Sequence, residues 1–501
     1  MNIVKIKSKI NKNYTSFIIL VLIFFTLNFS RLSLDTYNLE WYFVELSKYF
    51  NNSEHFFDIF LFKQNQANTT FYSFLLSFLN LFQTTDYNQF AIYRLLNFAI
   101  LFVLIYFVLT FKLINYETKT ILIFATVFSP IVNVYIFRIY PDLLSASFCW
   151  LSIILLLKKY KNFSVITFGI SFLLKPVSII TFPILFYIIN KTETLKIDKI
   201  KLLLKYLSFL TFLYLLYIFT YEKIIFGNYY KSTYISFNLI NSVLNFVYYY
   251  NYIILITSPF LIYQIYIFIN KDIYKFSHKI YFMLITAVAS IFLYLFSFKN
   301  GEMNYGYLNK FLSSEFILFF FIFINTFFGI LFLFINLKNK KNKKLFILFI
   351  ISLIFLSLLI ARPTQRYLIY LLPLSFLLIT NLYENKAKHL KISLLMFVLS
   401  FSIISFGQKI VQEKTLNSTK FFLNYINKNK LFSDTHPGLA YHSHGHLFEN
   451  YLQNEIKLKK QINYNYKIDN CDNNQLIILN SDVNFFKFKL KKRCLVKLIN
   501  K

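Results

Sequence analysis

Residues 314–337 read SEFILFFFIFINTFFGILFLFINL and are followed at once by KNKKNKK, residues 338–344. No side chain between Phe316 and Leu337 is charged, and a helix that spans a bilayer needs about 20 such residues. The lysines that follow are typical of the cytoplasmic end of a span, because positive side chains concentrate in cytoplasmic loops. The stretch therefore predicts a transmembrane helix whose carboxyl end enters the cytoplasm.

The whole chain has the same character. Of its 501 residues, 57% are apolar and 15% are charged, and the mean hydropathy is +0.52. A soluble domain carries nearer ~25% charged residues. The composition predicts an all-α polytopic membrane protein and excludes a soluble enzyme, a nucleic-acid module and a disordered scaffold as descriptions of the whole chain. The formal net charge of +31 fits cytoplasmic lysines, so we expect no nucleic-acid partner.

Thirteen apolar segments are predicted to span the membrane within residues 1–407. They lie near 15–29, 93–111, 120–137, 143–157, 162–174, 177–190, 203–221, 249–269, 280–298, 314–337, 345–361, 367–382 and 392–407. Several are short, and a neighbouring proline, as at Lys175-Pro176, indicates broken helices beside a cavity. The first segment has no small-residue cleavage site after it, so we interpret it as an uncleaved helix.

The loop charges orient this map. With the amino terminus in the cytoplasm, the inner segments carry about twice as many cations as the longer outer segments, as the positive-inside rule requires. Residues 30–92 then form a long first outer loop, with an amphipathic helix over 36–60 on the membrane surface and an interfacial or re-entrant helix over 69–82. A second outer loop, 222–248, is rich in tyrosine.

The tail is predicted to be a second domain. Residues 408–501 are polar and contain the strand-like stretches NQLIILN and VNFFKFKLK. We expect a small α+β domain on the extracytoplasmic side.

Arginine is distributed unlike lysine. The chain has six arginines, and every one maps to an outer loop, the outer end of a span or the tail: Arg31, Arg94, Arg138, Arg362, Arg366 and Arg493. Arginine is the bidentate ligand for phosphate and carboxylate, and lysine is not its equivalent. The pattern favours a phosphate site on the outer side, and interfacial snorkelling is the alternative.

Two acids on the outer side could take part in catalysis. Asp35 follows the first span closely, where a carboxylate at the membrane edge can act as a general base. Asp142 lies beside Arg138 in the tight turn Tyr140-Pro141-Asp142. An ordinary loop acid or helix cap in the first case, and turn chemistry in the second, are the alternatives.

The other candidates are cations. Lys175 interrupts an apolar stretch and could neutralise a lipid phosphate, or it could simply separate two short spans. Arg362 and Arg366 are four residues apart, so they share one face if the segment is helical, and could clamp a phosphate or diphosphate.

Histidine and cysteine give weaker signals. Four of the seven histidines lie in the tail, at His436, His442, His444 and His446, in a spacing that is loose for a zinc site. Cys149 lies in an apolar run and is interpreted as inert. Cys471 and Cys494 would form a disulfide only if the tail is extracytoplasmic. The chain has no P-loop and no dinucleotide-binding glycine motif.

In this order, the residues resemble the GT-C class of integral-membrane glycosyltransferases. The similarity rests on an uncleaved first helix, an acid opening the first outer loop (Asp35), a surface helix, an Arg at the start of the second span (Arg94), and the late pattern Arg366-Tyr367-Leu-Ile-Tyr-Leu-Leu-Pro373. It covers roughly residues 15–407.

Three shorter stretches are similar to the dolichyl-phosphate-glucose α-1,2-glucosyltransferase family within that class. They are PIVNVYIFRIYPD (130–142), FLLKPVSII (172–180) and IIFGNYYKS (224–232). The sequence departs from that family at Thr36, Lys175 and Asn228, and the polar tail is not part of its pattern.

The resemblance implies a reaction. A hexose would pass with inversion from a polyprenyl-phosphate donor to a lipid-linked glycan or protein acceptor at the extracytoplasmic face, with Asp35 as the general base. Asp142 would position the acceptor or a metal, so a divalent metal is a candidate cofactor. The donor phosphate would be bound by four cations, Arg138, Lys175, Arg362 and Arg366. We expect a multi-pass protein of a bacterial inner membrane.

Two alternatives remain open at this stage. A flippase or other transporter of lipid-linked glycans would place polar residues at mid-membrane depth. An O-antigen-type polymerase or ligase would place an arginine-rich outer loop late in the chain, where the loops here are short.

Overall fold

The computed structural model describes the greater part of the helical chain and three strands in the tail. The described residues are 40–51, 70–79, 86–109, 116–220, 239–270, 276–295, 314–360, 363–383, 389–404, 406–407, 409–410, 466–470, 476–485 and 488–497. The predicted first span and Asp35 lie outside them, as do Arg362, the four tail histidines and most of the tyrosine-rich loop.

The described chain up to residue 410 is helical. In chain order the α-helices are α1 (Glu40–Asn51), α2 (Thr70–Ser77), α3 (Asp86–Leu109), α4 (Tyr116–Val127), α5 (Pro130–Ile136), α6 (Pro141–Leu157), α7 (Lys161–Leu174), α8 (Phe182–Thr192), α9 (Lys196–Thr220), α10 (Leu239–Asn270), α11 (Phe276–Leu293), α12 (Glu315–Lys338), α13 (Lys340–Leu359), α14 (Leu372–Leu382) and α15 (His389–Ile404). Two 3-10 helices, Pro176–Thr181 and Gln365–Tyr370, interrupt the series.

The helices fit a membrane protein. Among the described residues, four are long and apolar enough to cross a bilayer, namely Phe90–Leu109, Leu239–Tyr266, Glu315–Lys338 and Lys340–Leu359. A fifth span results if α5 and α6 count as one element, although they meet at an angle of 114°. Each of the four overlaps a predicted span, so the membrane class is supported, while the number thirteen stays a prediction. The prediction of a loop over 222–248 is wrong at its end, because residues 239–248 form the first turns of α10.

The predicted span 120–137 is interrupted in the structure. α4 ends at Val127 and α5 begins at Pro130. Proline at the first helical position has no N–H to donate, and the Ser129 hydroxyl accepts a hydrogen bond from the Val132 amide at 3.3 Å, which caps the new helix. The apolar run conceals this break, because hydropathy does not change across it.

Two further breaks lie at the ends of helices. α7 ends at Leu174, Lys175 is extended, and the 3-10 helix starts at Pro176, so the break predicted at Lys175-Pro176 is present. Thr364 is also extended, and the helix that follows is 3-10, not α. Arg366 thus lies in a 3-10 helix, whereas Arg362 lies outside the described residues, so whether the two arginines share one face stays a prediction.

Serine side chains pack α6 tightly against α7. Ser145 and Ser171 each donate a hydrogen bond to the other's carbonyl, at 2.8 and 2.7 Å. Ser152 and Ser164 repeat the arrangement, at 2.7 and 2.6 Å. Small side chains allow close approach of helices, and reciprocal hydrogen bonds hold them together inside a membrane. This packing fixes the beginning of α6 relative to the end of α7.

The first outer loop packs on the protein. α1, Glu40–Asn51, lies within the predicted helix 36–60, and the rest of that prediction lies outside the described residues. Its side chains Phe43, Val44 and Phe50 are buried, and they form one apolar cluster with residues of α2, with Tyr93 of α3, and with the start of α6 and the end of α7. α1 and α2 thus cover the region where α6 begins.

The tail contains an antiparallel sheet in the order β1-β3-β2, with β1 (Tyr466–Asn470), β2 (Leu476–Phe485) and β3 (Phe488–Lys497). The strand-like stretches of the sequence lie in or overlap β2 and β3. The α+β composition of the tail and its location outside the cytoplasm stay predictions.

Candidate functional site

A buried carboxylate lies at the start of α6. Asp142 occupies the first turn of this helix, after Pro141, and its side chain is fully buried. Neither carboxylate oxygen has a hydrogen-bond partner among the described residues. The nearest cation is Arg366, whose Nε lies 3.7 Å from Oδ1. The positive end of the helix dipole lies at this position, and both oxygens of Asp142 offer acceptor positions that no described residue uses.

Two cations lie close to Asp142. The Arg366 guanidinium stacks over the Tyr367 ring, 5.1 Å from its centroid, and donates a hydrogen bond from Nη2 to the Tyr367 hydroxyl at 3.2 Å. Lys175, in the break after α7, is 3% exposed and interacts electrostatically with both Asp142 and Arg366. We call Asp142, Lys175 and Arg366 the Asp142 cluster; it carries one negative and two positive groups.

Burial lowers the pKa of the Lys175 ammonium to about 8, although the Asp142 carboxylate acts in the opposite direction and Arg366 adds to the lowering. Removing water disfavours the charged form of an amine, and a neighbouring carboxylate favours it. Lys175 is therefore a cation at neutral pH that loses its charge only slightly above it.

A second cluster lies beside the first. Glu40 of α1 is fully buried and accepts hydrogen bonds from two arginines, from Arg94 Nη2 at 2.9 Å and from Arg138 Nη1 at 3.2 Å. Arg94 is also fully buried, and Arg138 is 14% exposed. We call these three residues the Glu40 cluster. Since the partners lie 54 and 98 residues from Glu40 in the chain, this cluster ties α1 to α3 and to the turn before α6.

The turn itself is held from α3. The Asn97 amide donates hydrogen bonds to the carbonyls of Arg138, at 2.7 Å, and Tyr135, at 3.3 Å. These bonds satisfy backbone acceptors that the bend between α5 and α6 exposes. They also fix the backbone that carries Arg138 four residues before Asp142.

Tyrosines connect the two clusters. Tyr72 of α2 interacts electrostatically with Glu40 and with Asp142, and Tyr135 does so with Arg138 and with Asp142. Phe43 packs edge-on against Tyr72, with ring centroids 5.1 Å apart. The two clusters therefore form one site under α1 and α2, in which two carboxylates face four cations.

The structure thus brings together several residues chosen from the sequence. Asp142, Lys175 and Arg366 form one cluster, and Arg138 joins it through the Glu40 cluster. Arg94, taken as a marker of the second span, has Glu40 as a partner. Asp35 and Arg362 lie outside the described residues, so their roles stay predictions.

Glu40 is the residue that the sequence did not single out. It is one of several acids in the first outer loop, and nothing local separates it from Glu45 or Asp58. The signal that could have indicated a buried acid in this loop was the set of arginines predicted on the outer side, because a buried arginine requires a carboxylate partner.

Metal ligands are not grouped in the part of the chain that the structure describes, where no three His, Cys, Asp or Glu side chains come together. The histidine-rich stretch and Cys471 lie outside that part. Cys149 is a buried free thiol whose sulfur forms a hydrogen bond with the Thr181 hydroxyl.

Comparison with protein-family models, with curated proteins and with solved structures gives no match for this chain.

Proposed function

We propose that this chain is a membrane glycosyltransferase that moves a hexose from a polyprenyl-phosphate donor to a lipid-linked glycan or protein acceptor at the extracytoplasmic face. The observation that carries the proposal is Asp142, a buried carboxylate with unused hydrogen-bonding positions 3.7 Å from Arg366. Such a group can bind a hydroxyl, and the cations beside it can bind a phosphate.

The position of the site supports a lipid substrate. Asp142 begins an apolar helix and Lys175 follows the end of another, so both lie at ends of apolar helices. A polyprenyl chain would stay in the bilayer while its phosphate and sugar reach this level. The surplus of positive charge in the Asp142 cluster would stabilise the phosphate as it leaves.

In the proposed reaction the acceptor oxygen attacks the anomeric carbon from the face opposite the phosphate. The new carbon–oxygen bond forms as the bond to the phosphate oxygen breaks, and the electron pair leaves with the lipid phosphate, which gives inversion. Asp35 takes the acceptor proton, and Asp142 positions the acceptor hydroxyl. Arg366, Lys175, Arg138 and Arg362 bind the phosphate.

The topology of the proposal follows the sequence pattern. Thirteen spans with a cytoplasmic amino terminus in a bacterial inner membrane would place the site and the tail outside. We propose no role for a metal, because Arg and Lys already supply positive charge at the phosphate.

A flippase is the second candidate, and one observation favours it. Asn325, inside the span of α12, donates hydrogen bonds to the side chain and backbone oxygens of Asn251 on α10, both at 3.1 Å. Polar groups inside spans can line a path for a polar ligand. The pair is neutral, however, and hydrogen bonds of this kind also hold membrane helices together, so we rank transfer first.

The test is transfer of radiolabelled hexose from polyprenyl-phosphate glucose or mannose by purified protein in liposomes, with native membrane extract as acceptor. We expect transfer by wild type and a loss of at least about 100-fold in Asp142→Asn and in Asp35→Asn. Asp198→Asn is the matched control, because Asp198 also lies in the first turn of a helix, α9, away from the site. Scrambling of the lipid across the bilayer without transfer from any donor would support the flippase and refute the enzyme.

A further inference from the structure

Tyr72 has a property that the proposed reaction does not explain. Its side chain is fully buried, and its hydroxyl has no hydrogen-bond partner among the described residues. The two nearby tyrosines of the second 3-10 helix differ, since the Tyr367 hydroxyl accepts from Arg366 and the Tyr370 hydroxyl donates to Ser145 at 2.8 Å. A buried hydroxyl that loses water without gaining a partner costs free energy, so its retention calls for an explanation.

The surroundings of Tyr72 define what could satisfy it. Its ring packs on Phe43 and belongs to the apolar cluster that contains Tyr140 and Leu144, which lie two residues before and two residues after Asp142. Its hydroxyl lies within electrostatic range of both Glu40 and Asp142 without bonding to either. A phenol, which can donate, and a carboxylate, which can only accept, therefore lie near one another, each with unused hydrogen-bonding capacity.

The complement of this pair is a hydroxyl group. A sugar hydroxyl can accept a hydrogen bond from the Tyr72 O–H and donate one to an Asp142 oxygen, which satisfies both. A phosphate could accept from Tyr72, but the Asp142 carboxylate would repel it. The cations Arg366 and Lys175 thus suit the anionic donor, and Tyr72 with Asp142 suits a neutral polyol.

We propose that Tyr72 is an acceptor-binding residue, which, together with Asp142, holds a hydroxyl of a sugar acceptor under the first outer loop. The proposal rests on the proposed function for the identity of the ligand. It adds a specificity-determining residue on α2. From the sequence, this segment is predicted to be an interfacial or re-entrant helix, and no role in binding is assigned to it.

The test uses Tyr72→Phe, which keeps the ring and its contact with Phe43 and removes only the hydroxyl. The matched control is Tyr206→Phe. Tyr206 is equally buried, but its hydroxyl forms a hydrogen bond with Ser164. Without ligand, Tyr72→Phe should melt at or above the wild-type temperature, because it removes an unsatisfied group, whereas Tyr206→Phe should melt below it.

Steady-state transfer supplies the second readout. Tyr72→Phe should raise KM for the acceptor about tenfold and leave KM for polyprenyl-phosphate hexose within twofold, and Tyr206→Phe should leave both unchanged. A lower melting temperature for Tyr72→Phe together with an unchanged acceptor KM would overturn the proposal and make Tyr72 a structural residue.

Failure of the proposed function can be distinguished from failure of the proposal about Tyr72. If wild type transfers no hexose, the acceptor-lipid fraction of native membranes is used as a binding probe in thermal unfolding. Stabilisation of wild type that is lost in Tyr72→Phe would still support a polyol site at Tyr72. Equal stabilisation of both proteins, or of neither, would overturn it.

Discussion

Glu40→Gln should release α1 from the rest of the protein. The substitution keeps the size and one acceptor oxygen of the side chain but removes the charge that Arg94 and Arg138 share. Removing one partner of a buried ion pair costs about 3–5 kcal/mol, because the remaining charge stays buried without compensation. Since Glu40 and Arg94 are both fully buried, we expect about 3 kcal/mol or more.

The effect is local and can be measured locally. Hydrogen–deuterium exchange of amides in 40–51 reports the free energy of opening α1, and about 3 kcal/mol corresponds to an acceleration of more than about 100-fold. Amides at the carboxyl end of α8, which lies beside the start of α7 through the Lys161–Glu193 pair, serve as the internal reference and should exchange as in wild type.

Glu193→Gln is the matched control. Glu193 pairs with Lys161 at 2.6 Å, but the Lys161 side chain is 39% exposed. An exposed pair contributes about 0.5 kcal/mol, so exchange near it should change by less than about threefold. The reasoning is refuted if Glu40→Gln accelerates amide exchange in α1 no more than Glu193→Gln accelerates exchange of the amides around Glu193. The Glu40 cluster would then not hold the first outer loop in place.

A double variant checks the mechanism. In Glu40→Gln the Arg94 guanidinium stays buried without the carboxylate charge that balanced it. Adding Arg94→Met removes this uncompensated guanidinium. The two changes should therefore be strongly non-additive, with the double variant opening no faster than Glu40→Gln alone. Additive effects would show that the two side chains act independently.

Other parts of the site and fold give further predictions. Binding of polyprenyl phosphate should weaken as pH rises through about 8, because the pKa of Lys175 lies there and its ammonium group becomes neutral. An equilibrium binding assay over this pH range measures the effect. In the same assay the Lys175→Arg variant should show no such pH dependence. If the wild-type and Lys175→Arg curves coincide, Lys175 does not bind the phosphate. Gly169→Ala should destabilise the contact of α7 with α9 by about 1–3 kcal/mol, because the added methyl carbon would lie 2.1 Å from Phe209 Cε1. Gly329→Ala, whose nearest neighbour would lie at 3.3 Å, should cost less in the same thermal unfolding experiment, and equal losses would contradict this account.

The membrane character of the chain could be predicted because it depends on composition over long windows. An uncharged run as long as 316–337 predicts a helix in the bilayer, and the corresponding helix, Glu315–Lys338, is present. The break at Ser129-Pro130 was missed for the same reason, since both sides of it are equally apolar. Breaks of this kind depend on the missing amide of one proline and on one capping hydroxyl, which a hydropathy window averages away.

The grouping of Asp142, Lys175 and Arg366 could be anticipated in part. Charged residues at the ends of apolar segments that share one side of the membrane must lie at a similar depth, and the predicted orientation of the loops puts all three on the outer side. Depth does not determine which of them meet. That depends on the packing of α6 on α7 through Ser145 and Ser171.

Glu40 shows what local pattern cannot supply. Its role comes from Arg94 and Arg138, which are distant in sequence, and the other acids of the loop have the same local character. Tyr72 was hidden in a similar way, because a tyrosine in an apolar helix is typical of packing, and its unused hydroxyl becomes visible only with its neighbours in place.

The complete burial of Asp142 has a kinetic consequence. Phe43 and Tyr72 of the first outer loop belong to the cover over this carboxylate, and a group without access to solvent exchanges its ligand only when its cover moves. Such motions of loops and lids take microseconds to milliseconds and often limit enzymes more than bond formation does. For the proposed transferase we therefore expect the turnover number to follow solvent viscosity, with the lifting of α1 and α2 as the slow step that allows the elongated acceptor to leave.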